Sequence, residues 1–183
     1  MVEQATWARA TAAALLASLG VRWMHTLGVV ERAHSFAHVL PDAELDVLVA
    51  AAYLHDIGYA PALARTGFHP LDGAHFLCHL GRERLARLVA HHSAARVEAQ
   101  ERGLLDQLGA FPEERSAVAD ALTYCDLTTD ADGAPIAVSA RLDDIAARYG
   151  ADDPVGRAIR RSRRELLDRS QGVERSLRSR CRS

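Results

Sequence analysis

Lysine is missing from this sequence: all 22 basic residues among its 183 are arginine, and with the many alanines this reads as genome composition rather than a nucleic-acid signature. Cysteine is scarce. Cys78, Cys125 and Cys181 are far apart, odd in number and free of Cys-x-x-Cys spacing, which points to reduced thiols in a cytosolic protein rather than a disulfide framework. Strand signals are nearly absent, because the β-branched residues are scattered and no useful run alternates with period two. Internal repeats and long linkers are lacking too. The segment from Ala10 to Val21 imitates a targeting sequence, but Glu3 precedes it, Thr11, Ser18 and Gly20 interrupt it, and it runs into Arg22-Trp23 without a small-residue cleavage site. It is also shorter than the ~20 apolar residues that a membrane helix needs.

What is present suits one ordinary domain of 19.9 kDa, 49% apolar and 25% charged, with a formal net charge of -2. A chain of this length buries roughly 70% of its unfolded surface, enough to enclose a polar site. The 3.6-residue spacing of apolar positions predicts an all-α fold of about eight helices, at 5–19, 21–39, 43–57, 70–80, 82–93, 113–129, 138–149 and 154–168. Their boundaries fall at Gly20, Pro41-Asp42, Pro70, Gly81, Gly103, Gly133 and Asp153-Pro154.

Charge is uneven. From Arg157 to Ser183 there are 10 arginines against Glu165, Asp168 and Glu174, while the body before it is acidic. Residues 169–183 hold only Val173 and Leu177 as large aliphatics, too little apolar surface to offset an ordering cost of ~1–2 kcal/mol per residue. The expected organisation is therefore a helical domain over 1–168 and a disordered basic tail over 169–183. No aromatics interleave with the tail arginines, so neither nucleic acid nor a membrane is the expected partner.

Polar residues interrupt the apolar stripes at four places. Leu45, Leu48, Val49 and Ala52 lead to His55 and Asp56; Leu85, Leu88 and Val89 lead to His92; Val118 and Leu122 lead to Asp126; Val21 and Val29 flank His25. An ionised carboxylate on such a face costs several kcal/mol unless it is paired or bound to metal. One buried histidine would mean little, but imidazoles and carboxylates on four helices are explained together by a shared pair of divalent metal ions.

The ordered set His25, Leu-His55-Asp56-Ile-Gly-Tyr, His69, His91-His92-Ser and Tyr-Cys-Asp126 resembles the HD-domain superfamily of metal-dependent phosphohydrolases over about residues 20–130. The resemblance implies an HD-type helical bundle. It also implies His25, His55, Asp56 and Asp126 as ligands of a first metal, and His69 with one or both of His91 and His92 for a second. His69-Pro-Leu-Asp-Gly-Ala and Leu-Val-Ala-His91-His92-Ser are similar to the two-metal branch that includes diadenosine tetraphosphate hydrolases. The implied activity is hydrolysis of a phosphorylated small molecule, a nucleotide or dinucleotide, by attack of metal-activated hydroxide, with Asp56 bridging and accepting the proton. Fe, Mn, Co, Ni and Zn all suit these ligands. Where many members carry lysine in His-Asp-x-Gly-Lys, this chain has Tyr59, so a phosphate contact or proton donor has to come from elsewhere. The sequence after His91-His92 lacks the Gly-Tyr-Pro signature of cyclic-dinucleotide phosphodiesterases, and the Glu-Asp pair of guanosine tetraphosphate hydrolases is missing after His55-Asp56.

Arg65 and Arg96 follow the two histidine motifs and are candidates for holding a phosphate. His34 and His38 form an i, i+4 pair outside the family pattern, His75 reads as a core residue, His79 as solvent-facing and Cys125 as a small core residue. Two rival classes share the ligand set: di-iron oxygenases of the same fold, and regulatory modules that bind a nucleotide without turning it over.

Overall fold

The computed structural model describes residues 3–180 and contains ten α-helices. They are α1 (Glu3–Leu16), α2 (Val21–His34), α3 (Asp42–Leu54), α4 (His69–His79), α5 (Glu83–Ala90), α6 (Ala95–Glu101), α7 (Leu105–Leu108), α8 (Ala117–Leu127), α9 (Val138–Tyr149) and α10 (Pro154–Arg180). Short 3-10 turns follow α1, α2 and α3. Among the described residues there is no strand, only an isolated bridge between Thr129 and Pro135. None of the helices is long and apolar enough to cross a membrane.

Helix α3 is the axis. Leu48, Val49, Ala50, Ala51, Ala52 and Leu54 are all buried, the signature of a helix covered on every side. It packs against α1, α2, α5 and α8. Its first turn carries Asp42 and Glu44, which favour the positive end of the helix dipole. Arg84 of α5 then grips Glu44 with two bonds of 2.8 and 2.7 Å and Glu114 at 2.9 Å, tying α5, α3 and the approach to α8 together. Ser116 caps α8 by accepting from the Ala119 amide, and Asp153 accepts from the Val155 amide at the start of α10.

Two regions depart from the expected helices. Residues 94–112, anticipated as loop, form α6 and α7; α6 lies against α10, and Glu101 pairs with Arg157 and Arg161. Its polar composition concealed it. The second departure is the basic segment, expected to be disordered from residue 169. It continues α10 as far as Arg180, with Arg169 bonded to Asp120 at 2.7 Å and Val173 buried. The reason is a stripe of Ile159, Ser162, Leu166, Ser170 and Val173, all buried, in which small serines alternate with aliphatics and let the helix lie close to the body. Counting large aliphatics alone misses such a face. Cys181 and the last two residues lie outside the described residues, whereas Cys78 and Cys125 are free thiols.

Candidate metal centre

All but one of the chemistry-bearing residues sit where helices end. His55 and Asp56 follow the last turn of α3, His69 opens α4, His92 follows α5, His25 lies within α2 and Asp126 in the last turn of α8. Two glycines set the distances between these ends. A Cβ at Gly58 would lie 2.0 Å from the His69 carbonyl oxygen, so only glycine lets the turn after His55-Asp56 touch the start of α4. A Cβ at Gly28 would lie 2.3 Å from the Gly133 carbonyl; the close crossing brings the 129–135 turn against α2 and the Asp130 carbonyl to His25.

The histidines are oriented in one way. Nδ1 of His25, His55 and His92 lies 2.8, 2.8 and 2.7 Å from the carbonyls of Asp130, Ala52 and Val89. A carbonyl can only accept, so each Nδ1 carries a hydrogen, and Nε2 is the ring nitrogen turned inward. Nε2 of His55 is fully buried and has no hydrogen-bond partner. Nε2 of His25 meets Asp126 Oδ1 at 3.1 Å, and that of His92 meets His69 Nε2 at 3.3 Å, contacts that call for a proton or a cation between the atoms. His69 Nε2 is 3.3 Å from Asp56 Oδ1, and His55 Nε2 is 3.5 Å from Asp56 Oδ2. Two groups of potential ligand atoms result, His25–His55–Asp56 and Asp56–His69–His92, and Asp56 belongs to both. The orphaned imidazole nitrogen and this N/O donor set fit divalent transition-metal ions.

Protonation agrees with that use. Burial pushes the His55 pKa down, outweighing the attraction of Asp56 and Asp126, and burial with neighbouring positive charge pushes His69 well down. Burial opposes ionisation of Asp56, but His55, Arg22, His69 and His25 outweigh it and hold the carboxyl well below its usual range. Asp126 is likewise depressed against its burial by His25, His55 and His92. His25 moves the other way: burial lowers its pKa, but its bond to Asp126 and the nearby carboxylates raise it. Burial drives the Cys125 thiol above its ordinary range, in keeping with an inert core residue.

Asp56, His69, His92 and Asp126 line a cavity of about 80 Å³. The family pattern described as HD domain matches residues 22–133, which is more than half of the chain and spans His25 through Asp126. The chain belongs to the HD-domain family. That family places it in the superfamily of metal-dependent phosphohydrolases, without specifying a substrate. Comparison with curated proteins and with solved structures gave no match.

Within the HD domain, His25, His55, Asp56, His69, His92 and Asp126 are brought together, although Asp126 reaches the centre through His25 and lies outside both three-ligand groups. His91 is not among them: its Nε2 donates to the Phe111 carbonyl at 2.6 Å, because the chain turns at α5's end and sends neighbouring rings to opposite sides. Arg65 and Arg96 are exposed and do not line the cavity. His34, His38, His75 and His79 are exposed as well, and His75 packs edge-on against Phe111 instead of entering the core.

Several residues of the site had no assigned role in the sequence. Arg22 bonds Asp56 Oδ2 at 2.7 Å, and its guanidinium lies 3.9 Å above the Tyr59 ring, which stacks on His69 at 4.0 Å. Positive charge thus enters from α2 rather than from the position after the HD-domain glycine. Ser93 adopts φ +54, a left-handed conformation uncommon for serine; its amide donates to Thr123 Oγ1 and its hydroxyl to Asp126. The His91-His92-Ser motif contained it without revealing its partner. Arg141 and Arg148 of α9 close the cavity from beyond the HD domain.

Proposed function

We propose that this protein is a metal-dependent phosphohydrolase acting on a phosphorylated small molecule, with a nucleotide or dinucleotide as the class implied by the motifs. The observation that carries this reading is the buried, partnerless His55 Nε2 within a ring of imidazoles and carboxylates that arginines border. His25, His55, Asp56 and Asp126 are the ligands of one ion in this reading, and His69 and His92 join Asp56 around a second; His91 is left out. When bound there, the ions would supply the acidity for activating water and the positive charge that phosphoryl transfer needs.

The chain's own groups do the positioning. Arg22, fixed against Asp56 and Tyr59, offers its remaining N–H groups to a phosphoryl oxygen. Ser93 holds one oxygen of Asp126 and leaves the other to His25. Tyr59 keeps its proton, because burial and Asp56 raise its pKa well above the usual phenol range. The low basicity of Asp56 favours ligation over the proton-accepting role expected from the motif.

The test is elemental analysis of protein purified without chelator, followed by a phosphatase and nucleotide panel with and without oxygen. Metal-dependent, oxygen-independent phosphate release is the expected result. Oxygen consumption with no phosphate release would instead assign the site to an oxygenase, and binding without turnover to a regulatory module.

A further inference from the structure

Helix α9 lies beyond the residues that the HD-domain pattern matches, yet it forms one wall of the cavity. Arg141, Ile145, Arg148 and Tyr149 follow the i, i+4, i+7, i+8 spacing of one helix face, and all four line the cavity. Arg141 is 5% exposed, and its Nε is buried without a hydrogen-bond partner. Its one hydrogen bond runs from Nη1 to Asp144 Oδ2 at 3.1 Å, and the same oxygen accepts from Arg148 at 2.7 Å. One carboxylate therefore faces two guanidinium groups. A buried guanidinium with unused donors is costly unless an anion completes it.

The size of the cavity limits that anion. About 80 Å³ is well below the ~300–1,000 Å³ of pockets that bury a whole ligand. A nucleotide cannot be enclosed. A single tetrahedral phosphoryl group can enter, with the rest of the molecule left at the mouth, where Arg148 is 42% exposed. The bridging phosphoryl group of a dinucleotide carries substituents on both sides and cannot enter in this way. A terminal group presents three free oxygens, a match for the guanidinium forks of Arg22 and Arg141, which line the same cavity.

We propose that Arg141 is a phosphate-binding residue and that, with Arg22 lining the same cavity, it restricts this site to terminal phosphoryl groups, as in a phosphate monoester. The proposal rests on the phosphohydrolase reading for its chemistry, but the binding of the anion can be measured apart from it. Titration calorimetry of the full-length, metal-loaded protein with inorganic phosphate should show binding that Arg141→Met weakens about 10- to 100-fold, the loss of a charge-assisted hydrogen bond. Metal content should not change, and Arg96→Met should bind as wild type. Adenosine monophosphate should be hydrolysed in preference to a symmetrical dinucleoside polyphosphate, and Arg141→Met should raise KM more than it lowers kcat.

Phosphate binding unchanged in a folded, metal-loaded Arg141→Met variant would overturn the proposal, as would preferential turnover of the dinucleoside polyphosphate. If the methionine variant does not fold, Arg141→Lys, which keeps the charge and the aliphatic stem but not the fork, must still weaken phosphate binding; wild-type binding in that variant overturns the proposal equally. Arg141-dependent phosphate binding without hydrolysis of any ester would sustain the anion site and sink the phosphohydrolase reading. Hydrolysis insensitive to Arg141 would do the reverse.

Discussion

The two walls of the cavity differ in what they are built to hold. The wall formed by α2, the turn after α3, α4, α5 and α8 presents Asp56, Asp126 and imidazole nitrogens with their lone pairs inward, whereas α9 presents Arg141 and Arg148. The first attracts cations and the second anions. They meet in a cavity of about 80 Å³, where low local dielectric strengthens both fields. The wall that binds cations is assembled from helix ends, whose backbone carbonyls fix the rings by their Nδ1 atoms. The anion-binding wall is one continuous helix face, held by Asp144 and braced by α10. The α9 face holds none of the potential metal ligands, so it can be altered separately from them.

The largest effect should come from Asp56→Ala, which removes the ligand common to both groups. Loss of a supporting contact at a metal site costs about 10- to 100-fold, so loss of the shared ligand should exceed ~100-fold in activity and abolish metal retention, with helical content preserved in circular dichroism. Full turnover with full metal content in this variant would break the assignment of the cation-binding wall.

Arg22→Met comes next. It removes the positive charge beside Asp56 but no metal ligand, and kcat should fall about 10²-fold, as for loss of one preorganised donor, with metal content unchanged. A loss of metal instead would mean that Arg22 only positions Asp56. A smaller, structural effect is expected for Gly58→Ala, whose new methyl group would meet the His69 carbonyl. Thermal or urea denaturation should show a destabilisation of about 1–3 kcal/mol, and a neutral result would deny that the contact sets the distance between His55-Asp56 and His69.

Truncation after Asp168 removes the last turns of α10, which lie away from the cavity, and should have the least effect on chemistry. It removes buried Val173, worth about 1.5–3 kcal/mol, and the Arg169–Asp120 pair, worth about 0–1 kcal/mol, so the melting temperature should fall. Where the truncated protein is folded, turnover should stay within about twofold, a barrier change of only ~0.4 kcal/mol. A hundredfold loss would place the tail in the active site.

The same division governs how much of the site the sequence discloses. His25, His55, Asp56, His92 and Asp126 interrupt apolar helical stripes, and the cost of burying them marks them out before any coordinates are known. His69 emerges from its motif beside a helix-starting proline. Neighbouring His91 and His92 differ only in which way the chain turns after α5, and periodicity does not resolve one residue at a helix end. The arginines were hidden for another reason: with 22 of them and no lysine, nothing local separates Arg22 and Arg141 from exposed Arg65 and Arg96. Their roles arise from packing between elements far apart in sequence. In α10, too, buried Ser162 and Ser170 belong to the stripe but look like solvent-facing positions.

Metal stoichiometry measures the central claim most directly. Elemental analysis of wild-type protein purified without chelator should give two ions per chain, with one remaining in the His69→Ala, His92→Ala double variant, since His25, His55, Asp56 and Asp126 are left intact. A single ion per chain in the wild type, unchanged in the double variant, would contradict the account and remove both histidines from the centre.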